Sequence, residues 1–265
     1  MSGSEHRLFA CLKLTSLELL RCELDPPPEF RGFSCLSLAL TVCAPNLKYL
    51  KLEGEFKDIC LKCTPLLVVI SVAMYMTDDK TEQFEQSSGC NFDKFLGGVP
   101  CLEKLTEQIY FTKYMSIGYE LGKVPLTYDH LKLIQLYQVS FEDMKEILVV
   151  LRLILSSPNL QELHISSSSN AIAASEASDL NFWETDCPTG CTLKRLKTVK
   201  ISDLSGVPHE MEFLKFLLKN SPVLEVMSIL PGIYVSCGKL NVVIELLRFR
   251  RASAKAEIIF IRDQM

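Results

Sequence analysis

Hydrophobic positions along the 265-residue chain fall into one short, repeated ladder. Its clearest copy is Leu160-x-x-Leu163-x-Ile165, preceded by Ser157-Pro158-Asn159. Apolar and polar residues alternate over its last three positions, the period of a half-buried strand, and the proline turn ahead of it ends any helix. The same spacing recurs at Leu14-Leu17-Leu19, Leu47-Leu50-Leu52, Leu67-Ile70-Val72, Leu131-Ile134-Leu136, Leu196-Val199-Ile201 and Leu224-Met227-Ile229. A degenerate copy holds Leu102 and Leu105, with Glu107 where the last apolar rung belongs. First rungs at 14, 47, 67, 102, 131, 160, 196 and 224 lie 33, 20, 35, 29, 29, 36 and 28 residues apart. These intervals scatter about the roughly 20–29 residues of a leucine-rich repeat. One triplet cannot bury itself, whereas stacked neighbours share a continuous core. The pattern therefore predicts an α/β fold, a leucine-rich-repeat solenoid with parallel strands at 17–19, 50–52, 134–136, 163–165 and 199–201.

The segments between ladders carry weaker signals. Asp25-Pro26-Pro27-Pro28 forces an extended stretch, because each proline restricts both itself and its predecessor. Phe92, Phe95 and Leu96 suggest one or two helical turns over 91–96, and 77–89 is polar enough for a loop. The tyrosine-rich piece from Tyr110 to Tyr128 has no clear period and reads as loop or weak strand. Ser140-Phe-Glu-Asp143 has capping-box spacing ahead of Met144, Ile147, Leu148, Leu151 and Leu155, which predicts a helix over 141–155. Ser166 to Asp186, around the single tryptophan Trp183, reads as a polar insertion. Met211, Leu214, Leu217 and Leu218 predict a helix stopped at Asn220-Ser221-Pro222. A last helix near 242–249 precedes an apolar strand at 257–260.

Composition narrows the class. A net charge of −4 gives no clustered basic surface for nucleic acid, and Arg248, Arg250, Arg251 and Lys255 form only a short solvated face. The most apolar run, Ile147 to Leu155, is broken by Arg152 and falls far short of the ~20 residues that span a bilayer. The amino terminus has no secretory pattern, and the 11 cysteines are an odd number scattered through apolar segments. Neither nucleic acid nor membrane is an expected partner, and the expected location is intracellular, cytoplasmic and/or nuclear.

Catalytic and metal motifs are weak. Cys60-x-x-Cys63 and Cys187-x-x-x-Cys191 are the only close cysteine pairs, and their separation and unequal spacers argue against zinc. No phosphate-binding glycine loop, nucleophile elbow or paired zinc-protease histidines occur. The chain is expected to be no enzyme and to need no cofactor. What remains is the strand surface. Residues alternating with the last two rungs point outward. They supply Glu18, Tyr49, Lys51, Gln135, Tyr137, Glu162, His164 and Lys200 as candidate partner-binding residues. Aromatic anchors mixed with charges suit protein recognition, though an ordinary solvated strand face has the same mix.

The ladders, together with an ordered carboxy-terminal series, resemble a known family. The series runs Leu193-Lys-Arg-Leu-Lys-Thr-Val-Lys-Ile-Ser-Asp-Leu-Ser-Gly206, Glu210 to Asn220, Ser221-Pro-Val-Leu-Glu-Val-Met-Ser-Ile229, Leu246 to Ser253 and Glu257 to Phe260. It is similar to the FBD domain that closes many plant F-box/leucine-rich-repeat proteins. The resemblance implies repeats over 1–168, an insertion over 169–192 and an FBD-like α+β cap over 193–265 that continues the solenoid. It also implies a role as the target-recruiting part of an SCF-type cullin ubiquitin ligase receptor. In such receptors a separate F-box docks the adaptor. About 13 residues precede Leu14 and none forms a Leu-Pro-rich F-box. Recognition without docking is the expectation, with adaptor and cullin as partners only where an F-box lies upstream. A structural or decoy scaffold with no ligase role is the competing expectation.

Overall fold

Each ladder within the described residues folds as a strand whose rungs turn inward. The structure, a computed structural model, describes residues 7–8, 16–20, 39–54, 58–74, 95–108, 110–117, 127–168, 182–183, 191–232 and 239–261. The chain divides into two units, Met1–His130 and Leu131–Met265.

The first unit alternates between two parallel sheets. One contains β1 (Arg7–Leu8), β3 (Ala39–Cys43) and β5 (Asp58–Lys62) in that order. The other contains β2 (Ser16–Leu20), β4 (Tyr49–Gly54), β6 (Val69–Met74) and β7 (Lys104–Gln108). The ladders form the second sheet; the first has no counterpart in the ladder spacing. Prolines make the crossings tight. The Leu47 amide donates to the Ala44 carbonyl at 3.1 Å and Leu67 to Thr64 at 3.2 Å, each closing a turn around a proline. A neighbouring turn needs glycine, because a Cβ on Gly98 would stand 1.9 Å from the Leu61 carbonyl oxygen. Helix α1 (Phe111–Ile117) packs on β6 and β7. This corrects the loop or weak strand expected at Tyr110–Tyr128. Phe111, Tyr114 and Met115 are buried at helical spacing, and the Phe111 ring sits 5.2 Å from Phe95. Buried Thr112 and Ser116 mask that period in the sequence. The stretches at 25–28, 77–89 and 91–94 lie outside the described residues.

The second unit is one parallel sheet in chain order: β8 (Leu133–Val139), β9 (Glu162–Ser167), β10 (Thr198–Leu204), β11 (Val226–Pro231) and β12 (Glu257–Phe260). Helices α2 (Met144–Leu155), α3 (Pro208–Asn220) and α4 (Lys239–Arg248) lie between its strands in sequence. The helix expected from residue 141 starts at Met144 instead. Asp143 is its cap, accepting from the Lys145 amide at 2.8 Å, while the Ser140 hydroxyl accepts only from Glu142 at 3.4 Å. The final helix begins at Lys239, earlier than expected.

Register is held at the head of each strand by a shared carbonyl. Lys132 O accepts from both Gln161 N and Glu162 N, at 2.9 and 3.0 Å. Gln161 O then accepts from Lys197 and Thr198 at 2.9 and 3.1 Å, and Lys197 O from Glu225 and Val226 at 2.8 and 3.1 Å. In the first unit Lys48 O accepts from Val68 and Val69, and Val68 O from Glu103 and Lys104. This locks Ile134, Leu163, Val199, Met227 and Ile258 in one row and Leu136, Ile165, Ile201, Ile229 and Phe260 in the next. A one-residue slip would turn both rows to the opposite face.

Glu107 breaks the apolar rule at a rung position. It lies in register with Val72, is buried, and neither carboxylate oxygen has a hydrogen-bond partner. Burial drives its pKa well above the ordinary carboxylate range. A folded-state pKa raised this way gives stability that is complete below the ordinary carboxylate pKa and is lost as pH rises toward the folded value. Glu107→Leu is expected to raise the unfolding free energy by about 1–3 kcal/mol, the size of an unsatisfied buried polar group. Urea melts of both proteins at acid and neutral pH check this: the gain should grow with pH, and a variant no more stable at neutral pH contradicts it.

Candidate recognition surface

The outward positions of the sheets form rows as regular as the buried rungs. In the first unit Ser16, Tyr49, Val69 and Lys104 share one row, and Glu18, Lys51, Ser71 and the buried Thr106 the next. Glu18 and Lys51 thus stand on adjacent strands, roughly 4.8 Å apart at the backbone, and both are exposed, as is Tyr49 at 55%. In the second unit one row holds Leu133, Glu162, Thr198, Val226 and Glu257. The next holds Gln135, His164, Lys200, Ser228 and Ile259.

Five of the eight predicted residues meet in this second sheet. Gln135 Nε2 lies 3.0 Å from His164 Nδ1, and His164 Nε2 lies 3.5 Å from Glu162 Oε2. The amide holds the imidazole at Nδ1, whereas Nε2 makes no hydrogen bond among the described residues, and its contact to Glu162 becomes an ion pair only on protonation. Tyr137, His164 and Lys200 line a shallow groove of about 210 Å³ with Ser166, Ser202, Ser228, Leu230 and Ile261. Glu18, Tyr49 and Lys51 belong to the first unit's own rows. Leu230 was legible as the next alternating position after Ser228, whereas Asp203 and Ile261 had no ladder signal.

Two bulges shape the groove. Leu136 pairs with Ile165 and Val139 with Ser167, so β8 carries one extra residue. Ile201 pairs with Ile229 and Leu204 with Pro231, so β10 does the same. Gln138 and Asp203 take the left-handed conformation there, with φ of 60° and 59°. Asp203 thereby reaches β9, where its Oδ2 accepts from Ser166 Oγ at 2.6 Å. After each bulge a serine amide donates to a buried glutamate in the first turn of the next helix: Ser140 to Glu146 at 3.2 Å and Ser205 to Glu210 at 3.0 Å. The Glu210 Oε2 also accepts from Ser205 Oγ, Gly206 N and Val207 N, and its Oε1 from Ser167 Oγ. Burial raises the pKa of Glu210, although every one of these bonds favours the charged form.

Of the expected insertion over 166–186, the structure describes residues 166–168 and Phe182 and Trp183. Ser166 and Ser167 complete β9, and the indole docks on α3. Its Nε1 donates to His209 Nδ1 at 2.9 Å, and its ring lies 6.4 Å from both Phe213 and Phe216.

Among the described residues, Cys43, Cys60, Cys63, Cys101 and Cys191 are free, no cluster of metal-ligating side chains occurs, and no helix is long and apolar enough to cross a membrane. The FBD family matches over residues 184–229, from the residue after Trp183 to the last rung of β11. An F-box/FBD/LRR-repeat protein of Arabidopsis thaliana is 48% identical over 290 aligned positions, covering 97% of this chain and 69% of that protein. The chain belongs to the plant F-box/FBD/leucine-rich-repeat family. Within this family member, the FBD match takes in β10, α3 and β11, the elements that frame Lys200 and the Glu210 cradle. No solved structure matches the chain.

Glu210→Ala would strand the part-buried amides of Ser205, Gly206 and Val207. It is expected to cost about 2 kcal/mol or more, read by denaturant melts followed through the fluorescence of Trp183, the single tryptophan. A loss below about 0.5 kcal/mol, typical of an indifferent surface site, contradicts the cradle's role.

Proposed function

We propose that the chain is a non-catalytic protein-recognition module: a leucine-rich-repeat solenoid whose outward strand rows contact a protein target. The observation that supports this reading is the pairing of buried rungs with in-register outward rows, which hold Glu18, Tyr49, Lys51, Gln135, Glu162, His164 and Lys200, with Tyr137 beside them in the β8 bulge. Tyr49 and Tyr137 are 55% and 39% exposed, and exposed tyrosines are suited to anchor a protein partner. We divide the molecule into repeats over 1–168, an insertion over 169–192 and an FBD-like cap over 193–265 that continues the solenoid. Family membership supports target selection for an SCF-type ubiquitin ligase when the repeats are joined to an F-box. Odd cysteine count and free thiols support an intracellular site, cytoplasmic and/or nuclear.

Affinity purification from plant cells tests the reading. The chain joined to an F-box should recover adaptor, cullin and a set of further proteins. Tyr49→Ala with Lys51→Ala, and Tyr137→Ala with Gln135→Ala, should lose those further proteins while keeping adaptor and cullin. Unchanged recovery by both pairs contradicts recognition through the strand rows. A chain that recovers no adaptor or cullin is a scaffold without a ligase role.

A further inference from the structure

We propose that the groove over β9, β10 and β11 takes an acidic side chain of a protein segment, with a large apolar residue of that segment seated on the groove's rim. This rests on the protein-recognition reading above. Register places Lys200 between His164 on β9 and Ser228 on β11. Its ammonium is exposed and makes no ion pair among the described residues. The acids on the neighbouring strands form no ion pair with it among the described residues. Glu162 faces His164 at 3.5 Å, Glu225 pairs with Lys197 at 3.2 Å, and Asp203 accepts from Ser166 at 2.6 Å. Glu257 is on β12, two strands away and in a different row. Among the described residues, Lys200 is therefore a cation without an ion-pair partner.

The surroundings suit a carboxylate. Ser202 and Ser228 line the same groove, and neither hydroxyl has a side-chain partner among the described residues. Each is an O–H donor. A carboxylate seated on Lys200 gains a charge-assisted hydrogen bond, with two hydroxyls available for its remaining lone pairs. Gln135 occupies His164 Nδ1 at 3.0 Å, which leaves only Nε2, 3.5 Å from Glu162 Oε2, on that side of the groove. Tyr137 and Ile261, 39% and 46% exposed, stand with Leu230 as apolar rim. The groove's 210 Å³ falls below the roughly 300–1,000 Å³ of small-molecule sites, and suits one or two side chains of an extended segment. The net charge of −4 disfavours long-range steering of an acidic partner, so selection here is local.

Random heptapeptides displayed on phage and selected on the whole chain test this, alongside Lys200→Met and Lys200→Glu variants whose thermal melts confirm folding. The enriched peptides should share Asp or Glu with a large apolar residue one or two positions away. Their affinity should fall about tenfold or more on Lys200→Met, the size of one charge-assisted hydrogen bond. Selection on Lys200→Glu should replace the acid with Lys or Arg. Enriched peptides without an acid, or binding Lys200→Glu as tightly as the native chain, overturn the groove assignment while leaving protein recognition by the strand rows intact. Absence of enrichment on any of the three proteins overturns it too. Failure of recognition by the rows is read separately, as unchanged partner recovery by the row variants in plant cells.

Discussion

One backbone oxygen shared by two amides of the next repeat is the interaction on which the rest depends. It recurs from Lys48 to Val68 in the first unit and from Lys132 through Gln161 to Lys197 in the second. The two amides belong to consecutive residues at the head of the strand, so the bond fixes both where the strand begins and which residue faces inward. Proline turns deliver each chain segment to that point, and the apolar rungs then bury without further choice. Because strand side chains alternate, the same bond that buries Leu163 and Ile165 aligns Glu162 and His164 outside. Core and candidate surface are two consequences of a single register.

The second unit adds a further device. Each bulge in β8 and β10 inserts a residue in the left-handed conformation, and a buried glutamate then gathers the amides that the bulge releases. Glu210 is the fuller case, with donors from β9, from the loop and from the helix start. It joins β9 to the loop and first turn of α3. Trp183 covers the same helix from the segment ahead of the FBD match, so the boundary of that match coincides with an aromatic anchor on α3.

The ladder made the strands of both large-sheet regions legible, because Leu-x-x-Leu-x-Ile combines a turn position with a two-residue period. It left the sheet of β1, β3 and β5 unseen, since those strands pair only with one another and carry no proline-led rung. Helix α1 was hidden by buried threonine and serine, and the cap of α2 by a competing serine three residues upstream of the residue that serves. For the surface, alternation correctly placed Gln135, His164 and Lys200 in one row. It could not show that Gln135 holds the His164 ring while Lys200 makes no ion pair among the described residues, because that depends on side-chain reach across strands. Asp203 was likewise beyond reach: a bulge cancels the alternation on which the reading rests.

The central claim is that shared carbonyls lock the strands into one register. Amide hydrogen exchange resolved to single residues measures this most directly. The amide pairs Gln161–Glu162, Lys197–Thr198 and Glu225–Val226 should be protected to a similar degree and lose protection together in denaturant. Any one pair exchanging at the rate of an unstructured chain, while its neighbours stay protected, would contradict the account.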